Sequence, residues 1–382
     1  MIFIFGVIVL TYLFYLYGTR NFDYWKSKGV KHDDPIPFLG NAFKQFAFKQ
    51  SVSDIFTDLY LKYPNERFIG YYNGNQKRLI IREPKDIQRV MVTDFNVFYP
   101  RGLKMHKDES DPFHKQLFSA DGDLWKLLRQ SLTPAFTSEV KAKGKMVGES
   151  IEKRNPDGSP IIVEQEMDDL TIVAQVFVLF AAGFETSSST SSFTLHQLAF
   201  HPEAQKKCQD EIDAVLKKYN NKLCYDAIGE MKYLTMAFKE SMRMFPSVGV
   251  LIRQSAAEYT FPDSNLTIDK DINITIPVHA IQMDERFFEE PKKFMPERFS
   301  PENIHKIQNH TYLPFGEGPR ACIGERLGMM QSLAGIAAIL SKFSVAPSRS
   351  SKREPEADPI GGMLQVMKGG APLSLIPRKK TE

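Results

Sequence analysis

The hydrophobic pattern begins with a run that carries no charge. From Ile2 to Tyr17 the side chains are apolar, aromatic or small, and the first charged residue is Arg20. At about 1.5 Å per helical residue this run is just long enough to cross a bilayer core. Arg20, Lys26, Lys28 and Lys31 follow it, which places the C-terminal side in the cytosol. The basic start and small-residue cleavage site of a secretory signal are not evident. The pattern therefore predicts a retained membrane anchor over residues 1–19. Residues 20–40 read as a basic, Pro-rich linker ending in the stiff run Asp33 to Gly40, and residues 41–382 as the folded domain.

Within that domain the periodicity predicts a helix over 52–62, then a strand pair at 67–72 and 78–81 around Asn73-Gly74. An amphipathic helix follows at 203–218. Short alternating segments over 250–277 suggest a small second sheet, and 326–343 a long helix. The apolar run Ile172 to Phe180, resumed at Phe193 and Leu195, predicts a long, mostly buried helix with a small-residue break at Ala181-Ala182-Gly183. A helix around Trp125 ends near Ser138, and the next begins near Asp169. The stretch 139–168 between them includes a polar, loop-like segment at 152–160. The fold class is mainly α with a small β part.

Composition narrows the field. The chain has 382 residues, 42% hydrophobic, with a net charge of +3. No basic stripe with interleaved aromatics occurs, so nucleic acid is not an expected partner. The cysteines are Cys208, Cys224 and Cys322. They form no Cys-x-x-Cys pair, which argues against a disulfide scaffold or a zinc ribbon.

The candidate chemistry centres on Leu313-Pro-Phe-Gly-Glu-Gly-Pro-Arg-Ala-Cys-Ile-Gly-Glu-Arg-Leu-Gly328. A Gly- and Pro-rich loop can aim backbone N–H groups at the Cys322 sulfur, and a following helix adds its positive end. Arg320 offers a fixed cation to a cofactor carboxylate. In Ala181 to Thr186, Gly183 lets something approach the backbone beside Glu185 and Thr186. Glu240 and Arg243 share a helix face and can pair. Trp125 and Arg129, four apart, can both donate to a carboxylate. Each feature alone has a plainer alternative: a buried cysteine, a wet helix face, a surface ion pair, a core Trp beside a surface Arg.

Phe315, Gly318, Arg320, Cys322 and Gly324 stand in the register Phe-x-x-Gly-x-Arg-x-Cys-x-Gly, which resembles the haem loop of cytochrome P-450 monooxygenases. The resemblance implies that Cys322 is the iron ligand, that Phe315 packs beside the haem, and that Arg320 holds a propionate. It implies that Gly183 opens a groove for dioxygen. Thr186 would hydrogen-bond the bound peroxide and Glu185 would help pass protons inward. Glu240 and Arg243 would form a buried structural triad with Arg298, from Phe294 to Phe299. Trp125 and Arg129 would face the propionates, with Arg101 as a further candidate. The implied cofactor is heme b. Electrons would come from NADPH through a membrane-bound reductase, with cytochrome b5 as an additional partner. The wording around Gly148-Glu-Ser-Ile-Glu-Lys153 and Phe193-Thr-Leu-His-Gln-Leu198 is similar to insect microsomal members, which implies oxidation of apolar xenobiotics, plant toxins and insecticides at the endoplasmic reticulum membrane with the domain facing the cytosol.

The chain departs from that family in one place. Helices normally found between the Trp125 helix and the oxygen-binding helix are missing, as if two distant segments were joined near 138–139. The expected consequences are an uncovered apolar face near Ile172 to Phe180 and a pocket that excludes water poorly. Two alternatives follow: a truncated, catalytically impaired or inactive relative, and a haem-thiolate isomerase or dehydratase. The latter relatives often lack the acid-plus-Thr pair found here at Glu185-Thr186.

Overall fold

Ser51 opens a helix of the domain by accepting a 3.1 Å hydrogen bond from the Asp54 N–H. The computed structural model describes residues 2–103, 114–136 and 145–379. An apolar helix α1 (Ile2–Thr19) is followed by α2 (Val52–Lys62), whose Val52, Ile55, Phe56 and Leu59 are buried. They pack on a five-stranded sheet of order β1-β2-β3-β9-β6. Its strands are β1 (Lys31–His32), β2 (Phe68–Asn73), β3 (Gln76–Ile81), β6 (Leu251–Gln254) and β9 (Asn273–Ile276). Strands β7 (Tyr259–Thr260) and β8 (Thr267–Ile268) form a small separate ladder. Alternation decides the faces: Ile69, Ile80 and Ile252 meet α2, while Leu79, Ile81, Ile274 and Ile276 fill the opposite core.

The small second sheet expected over 250–277 is reduced to the β7–β8 ladder, and the two outer strands of that stretch belong elsewhere. β9 pairs in parallel with β3, and β6 joins antiparallel to β9, so both extend the first sheet. Local sequence marks strands but not their partner, because a parallel pairing is made across a long crossover. The segment 20–40 is packed onto that sheet. Trp25 is fully buried beside Gly70, β1 pairs with β2, and the Asn41 N–H donates to the Tyr72 carbonyl at 2.7 Å.

The second core is helical. It joins α4 (Asp169–Phe200), α5 (Pro202–Lys218), α6 (Lys232–Met244) and α7 (Glu325–Leu340). Asp168 caps α4 by accepting from the Thr171 N–H at 2.7 Å. Two expectations for α4 are overturned. It runs unbroken through Ala181 to Thr186, because glycine in a helix costs only about 1 kcal/mol. It is not mostly buried: Val173, Val176, Phe180 and Phe184 are 61–72% exposed, and burial begins in earnest at Ser189.

Before α4 lies α3 (Gly122–Leu132), followed by one 3-10 turn at Thr133–Phe136. The expected junction at 138–139 falls outside the described residues. The loop expected over 152–160 is found at 155–159, where it joins β4 (Lys145–Arg154) and β5 (Pro160–Glu166) into an antiparallel hairpin; residues 152–154 and 160 belong to the strands. Its turn, Asn155-Pro-Asp-Gly158, places Gly158 at φ +83°. The polar composition of this hairpin reflects its outer face, where Glu152 and Lys153 meet water.

Candidate functional site

The Cys322 loop is folded by its glycines and by its own backbone. The Cys322 N–H donates to the Phe315 carbonyl at 2.9 Å, and Ala321 N–H to the Gly318 carbonyl at 3.0 Å. Gly318 has φ +70°, and a Cβ there would lie 1.9 Å from the Met91 carbonyl oxygen. Gly324 is the N-cap of α7. Phe315 is half-buried against the helical core.

Cys322 is solvent-accessible, yet surrounding protein mass raises its thiol pKa. The Gly324 N–H, then Arg129 and Arg101, act against that rise by favouring the anion.

Four guanidiniums form one cluster, and two of them, Arg101 and Arg129, act on this sulfur. Arg101 precedes α3, Arg129 lies in its last turn, Arg253 lies on β6 and Arg320 in the Cys322 loop. Arg129 donates to the Ala321 carbonyl at 2.7 Å. Arg320 donates to the Ala120 carbonyl at 3.0 Å and to Asp121 Oδ1 at 2.8 Å, and its guanidinium lies 4.2 Å above the Trp125 ring. The Arg101 backbone N–H also donates to Asp121. Burial, then the neighbouring cations, pushes Arg320 down to about 9 and Arg253 well below the ordinary range. Burial likewise pushes Arg101 down to about 10, against the pull of Asp121.

This cluster lacks anions. Nε of Arg101, Nε of Arg253, and Nε and Nη1 of Arg320 are buried without a hydrogen-bond partner. One carboxylate, Asp121, faces three of these cations, Arg101, Arg253 and Arg320, among the described residues. Leaving charged donors unsatisfied is costly, so the site calls for further carboxylates. A flat cofactor with two propionates and an iron open to the Cys322 sulfur fits this donor set.

The remaining motifs fall into two groups. Gly328 of α7 faces Ser187 of α4, where an added Cβ would stand 3.9 Å from Ser187 Oγ. That contact sets the helix carrying Gly183, Glu185 and Thr186 against the helix that follows the Cys322 loop. Beside Gly183 an added Cβ would meet nothing within 4 Å. Glu185 is half-buried. The Thr186 hydroxyl donates to the Ala182 carbonyl at 2.6 Å. The second group lies in the helical core. Glu240 and Arg243 are fully buried in a bidentate pair, with Nε–Oε2 at 2.8 Å and Nη2–Oε1 at 2.9 Å. Arg298 joins Glu240 at 3.4 Å, while Arg243 also donates to the Gln282 and Pro291 carbonyls.

Asp121 and Arg253 escaped the sequence reading. Asp121 stands just ahead of a helix, where an acid ordinarily signals a cap. Arg253 alternates with Ile252 and Gln254 in an unremarkable strand. Neither carries a local signal, since both take their meaning from chains brought in from elsewhere.

Comparison with known proteins agrees with this geometry. The family profile described as "Cytochrome P450" matches residues 31–154 and 150–371. The chain is 29% identical to cytochrome P450 6B6 of Helicoverpa armigera over 494 aligned positions, covering 97% of each chain. It is likewise 29% identical to cytochrome P450 6B4 of Papilio glaucus, covering 96% of this chain and 97% of the relative. It is 31% identical to probable cytochrome P450 6a13 of Drosophila melanogaster, covering 90% and 92%. With 382 residues set against 494 positions, these relatives contain residues that have no counterpart here.

Proposed function

Because the chain belongs to the cytochrome P450 family, we propose that it is a haem-thiolate protein of the microsomal monooxygenase type, shortened between α3 and α4. The observation that carries this reading is the accessible Cys322 beside a cluster of four guanidiniums with one resident carboxylate. Cys322 would supply the sulfur ligand, and Arg101, Arg253 and Arg320 would hold the propionates of heme b, with Trp125 and Arg129 framing them. When bound, the haem supplies activation of dioxygen for insertion of one oxygen atom into an apolar substrate.

The chain's own residues prepare that chemistry. The Cys322 thiol must lose its proton to bind a metal, and the Gly324 N–H with Arg129 and Arg101 favours that loss. Thr186 parks its proton on the Ala182 carbonyl, leaving its oxygen free to accept a second proton donor. Rotation of that hydroxyl would release a donor toward the open space beside Gly183. Glu185, half-buried one residue away, is the acid that would relay protons to it. The Glu240–Arg243–Arg298 triad would lock the core behind the loop.

Electrons would come from NADPH through a reductase, with cytochrome b5 as an additional donor. The substrates would be apolar small molecules such as xenobiotics, plant toxins and insecticides. The α1 helix would anchor the protein in the endoplasmic reticulum membrane with the domain in the cytosol. The residues that the relatives have and this chain lacks would belong near 138–139. The exposed Val173, Val176, Phe180 and Phe184 favour a second reading, a catalytically impaired relative whose pocket admits water.

A carbon monoxide difference spectrum on the reduced, expressed chain tests the proposal. A thiolate-type Soret band, lost in Cys322→Ser, is the expected result. Haem uptake with the same spectrum in Cys322→Ser would overturn it. NADPH consumption without product in the wild-type chain would select the impaired relative.

A further inference from the structure

The helix that presents Trp125 and Arg129 is held from behind by the β4–β5 hairpin. At 100° per residue, Asp123, Lys126, Leu127 and Gln130 share one face of α3, while Trp125 and Arg129 lie roughly opposite. The hairpin covers the first face. The Asp123 carboxylate accepts from Ser150 Oγ at 2.9 Å (Oδ1) and 2.8 Å (Oδ2), and from the Ile151 N–H at 2.6 Å. Ser150 is fully buried, and its Oγ in turn accepts from the Glu152 and Lys153 N–H groups at 3.1 and 2.9 Å. Gly148 permits the close approach: a Cβ there would lie 2.8 Å from Gln130 Oε1 and 2.9 Å from Leu127 Cδ2. Met146 and Ile151 of β4 and Val163 of β5 share a hydrophobic cluster with Trp125, Leu128 and Ile323. Ile323 is the residue after Cys322.

We propose that Asp123 and Ser150 are positioning residues for the haem site, latching the hairpin to α3 so that Trp125 and Arg129 are held toward the Cys322 loop. In a chain without the usual helices between α3 and α4, this hairpin takes over the bracing of α3. The inference rests on the haem-binding reading for its consequence, but the latch itself does not. Asp123 also sits in the first turn of α3, where a carboxylate favours the helix dipole. Ser150→Ala leaves that charge and the Ile151 N–H bond to it in place, and removes the hydroxyl's bonds to Asp123 and to the Glu152 and Lys153 N–H groups.

The test uses the full chain labelled with 5-fluorotryptophan, whose two tryptophans, Trp25 and Trp125, give two fluorine resonances. Ser150→Ala and Asp123→Ala should each shift or broaden the Trp125 resonance and leave that of Trp25 unchanged. Each should also speed haem transfer to apomyoglobin about tenfold, the equivalent of one charge-assisted hydrogen bond. The double variant should be slower than the product of the two single effects, since both remove the shared Ser150–Asp123 contact. Asp123→Asn, which keeps one acceptor oxygen, should fall between. It also serves where Asp123→Ala does not fold. Ser159→Ala, in the hairpin turn, should behave as wild type. An unmoved Trp125 resonance overturns the latch, as does haem loss no faster than in Ser159→Ala. If the wild-type chain takes up no haem, the haem reading fails. The fluorine signals then decide the latch alone.

Discussion

Arg320 donates from Nη2 to Asp121 Oδ1 at 2.8 Å, and that carboxylate is the only one facing Arg101, Arg253 and Arg320 among the described residues. The pair fixes the guanidinium over Trp125 while leaving its Nε and Nη1 without partners. If these donors await propionates, esterifying the propionates removes their partners. Haemin dimethyl ester should bind the haem-free chain about a hundredfold more weakly than haemin, the sum of two charge-assisted hydrogen bonds. Parallel absorbance titrations check this, and equal affinities would refute the propionate role.

Cys322 and Cys208 should differ in chemistry. Burial pushes the Cys208 thiol up to about 12, whereas Cys322 is accessible with a more modest rise. The thiolate is the nucleophile, so a raised pKa lowers its fraction at pH 8. In the haem-free chain, Cys322 should be alkylated by iodoacetamide more slowly than an unperturbed cysteine. Its rate should still be rising above pH 9. Cys208 should react only on unfolding. Peptide mapping by mass spectrometry across a pH series reads both.

Glu240 is shared by Arg243 and Arg298 with no access to water. Glu240→Gln leaves two guanidiniums facing a neutral amide. It should cost about 3–5 kcal/mol, as when a buried pair loses one partner. Urea denaturation should show a lower midpoint with an unchanged slope. A loss below about 1 kcal/mol, typical of exposed pairs, would contradict the buried geometry.

Two glycines with the same backbone sign should respond differently. Gly318 and Gly362 have φ +70° and +62°, but an added Cβ meets the Met91 carbonyl only at Gly318. Gly362, with ψ −117°, lies outside the left-handed helical well, and Gly362→Ala should cost about 1–3 kcal/mol of backbone strain. Gly318→Ala should cost clearly more and displace the Cys322 loop. Thermal unfolding of the two variants side by side is the measurement.

The exposed side of α4 should be removable without loss of stability. Phe180 and Phe184 are 72% and 61% exposed and stack on each other with centroids 6.2 Å apart. The double change to Ser should alter unfolding free energy by about 0.5 kcal/mol or less per site, the range for surface substitutions. It should also reduce self-association measured by sedimentation velocity, because large apolar patches drive association. A loss of several kcal/mol would mean that the face is covered in solution.

Local chemistry made much of the molecule readable from its sequence. The helix at 52–62 was legible because a Ser cap precedes a periodic apolar stripe. The paired strands flanking Asn73-Gly74 were legible because that turn permits few alternatives. The Cys322 loop stood out because its glycines and Arg320 are needed at fixed spacing within one short segment. The sequence was silent where partners come from afar. It did not say that β9 would lie beside β3, that Arg253 and Asp121 would meet Arg320, or that a polar stretch at 145–166 would fold as a hairpin against α3. Those outcomes depend on which distant surfaces are left to bury apolar area and satisfy charge. That competition is settled only when the whole chain has closed.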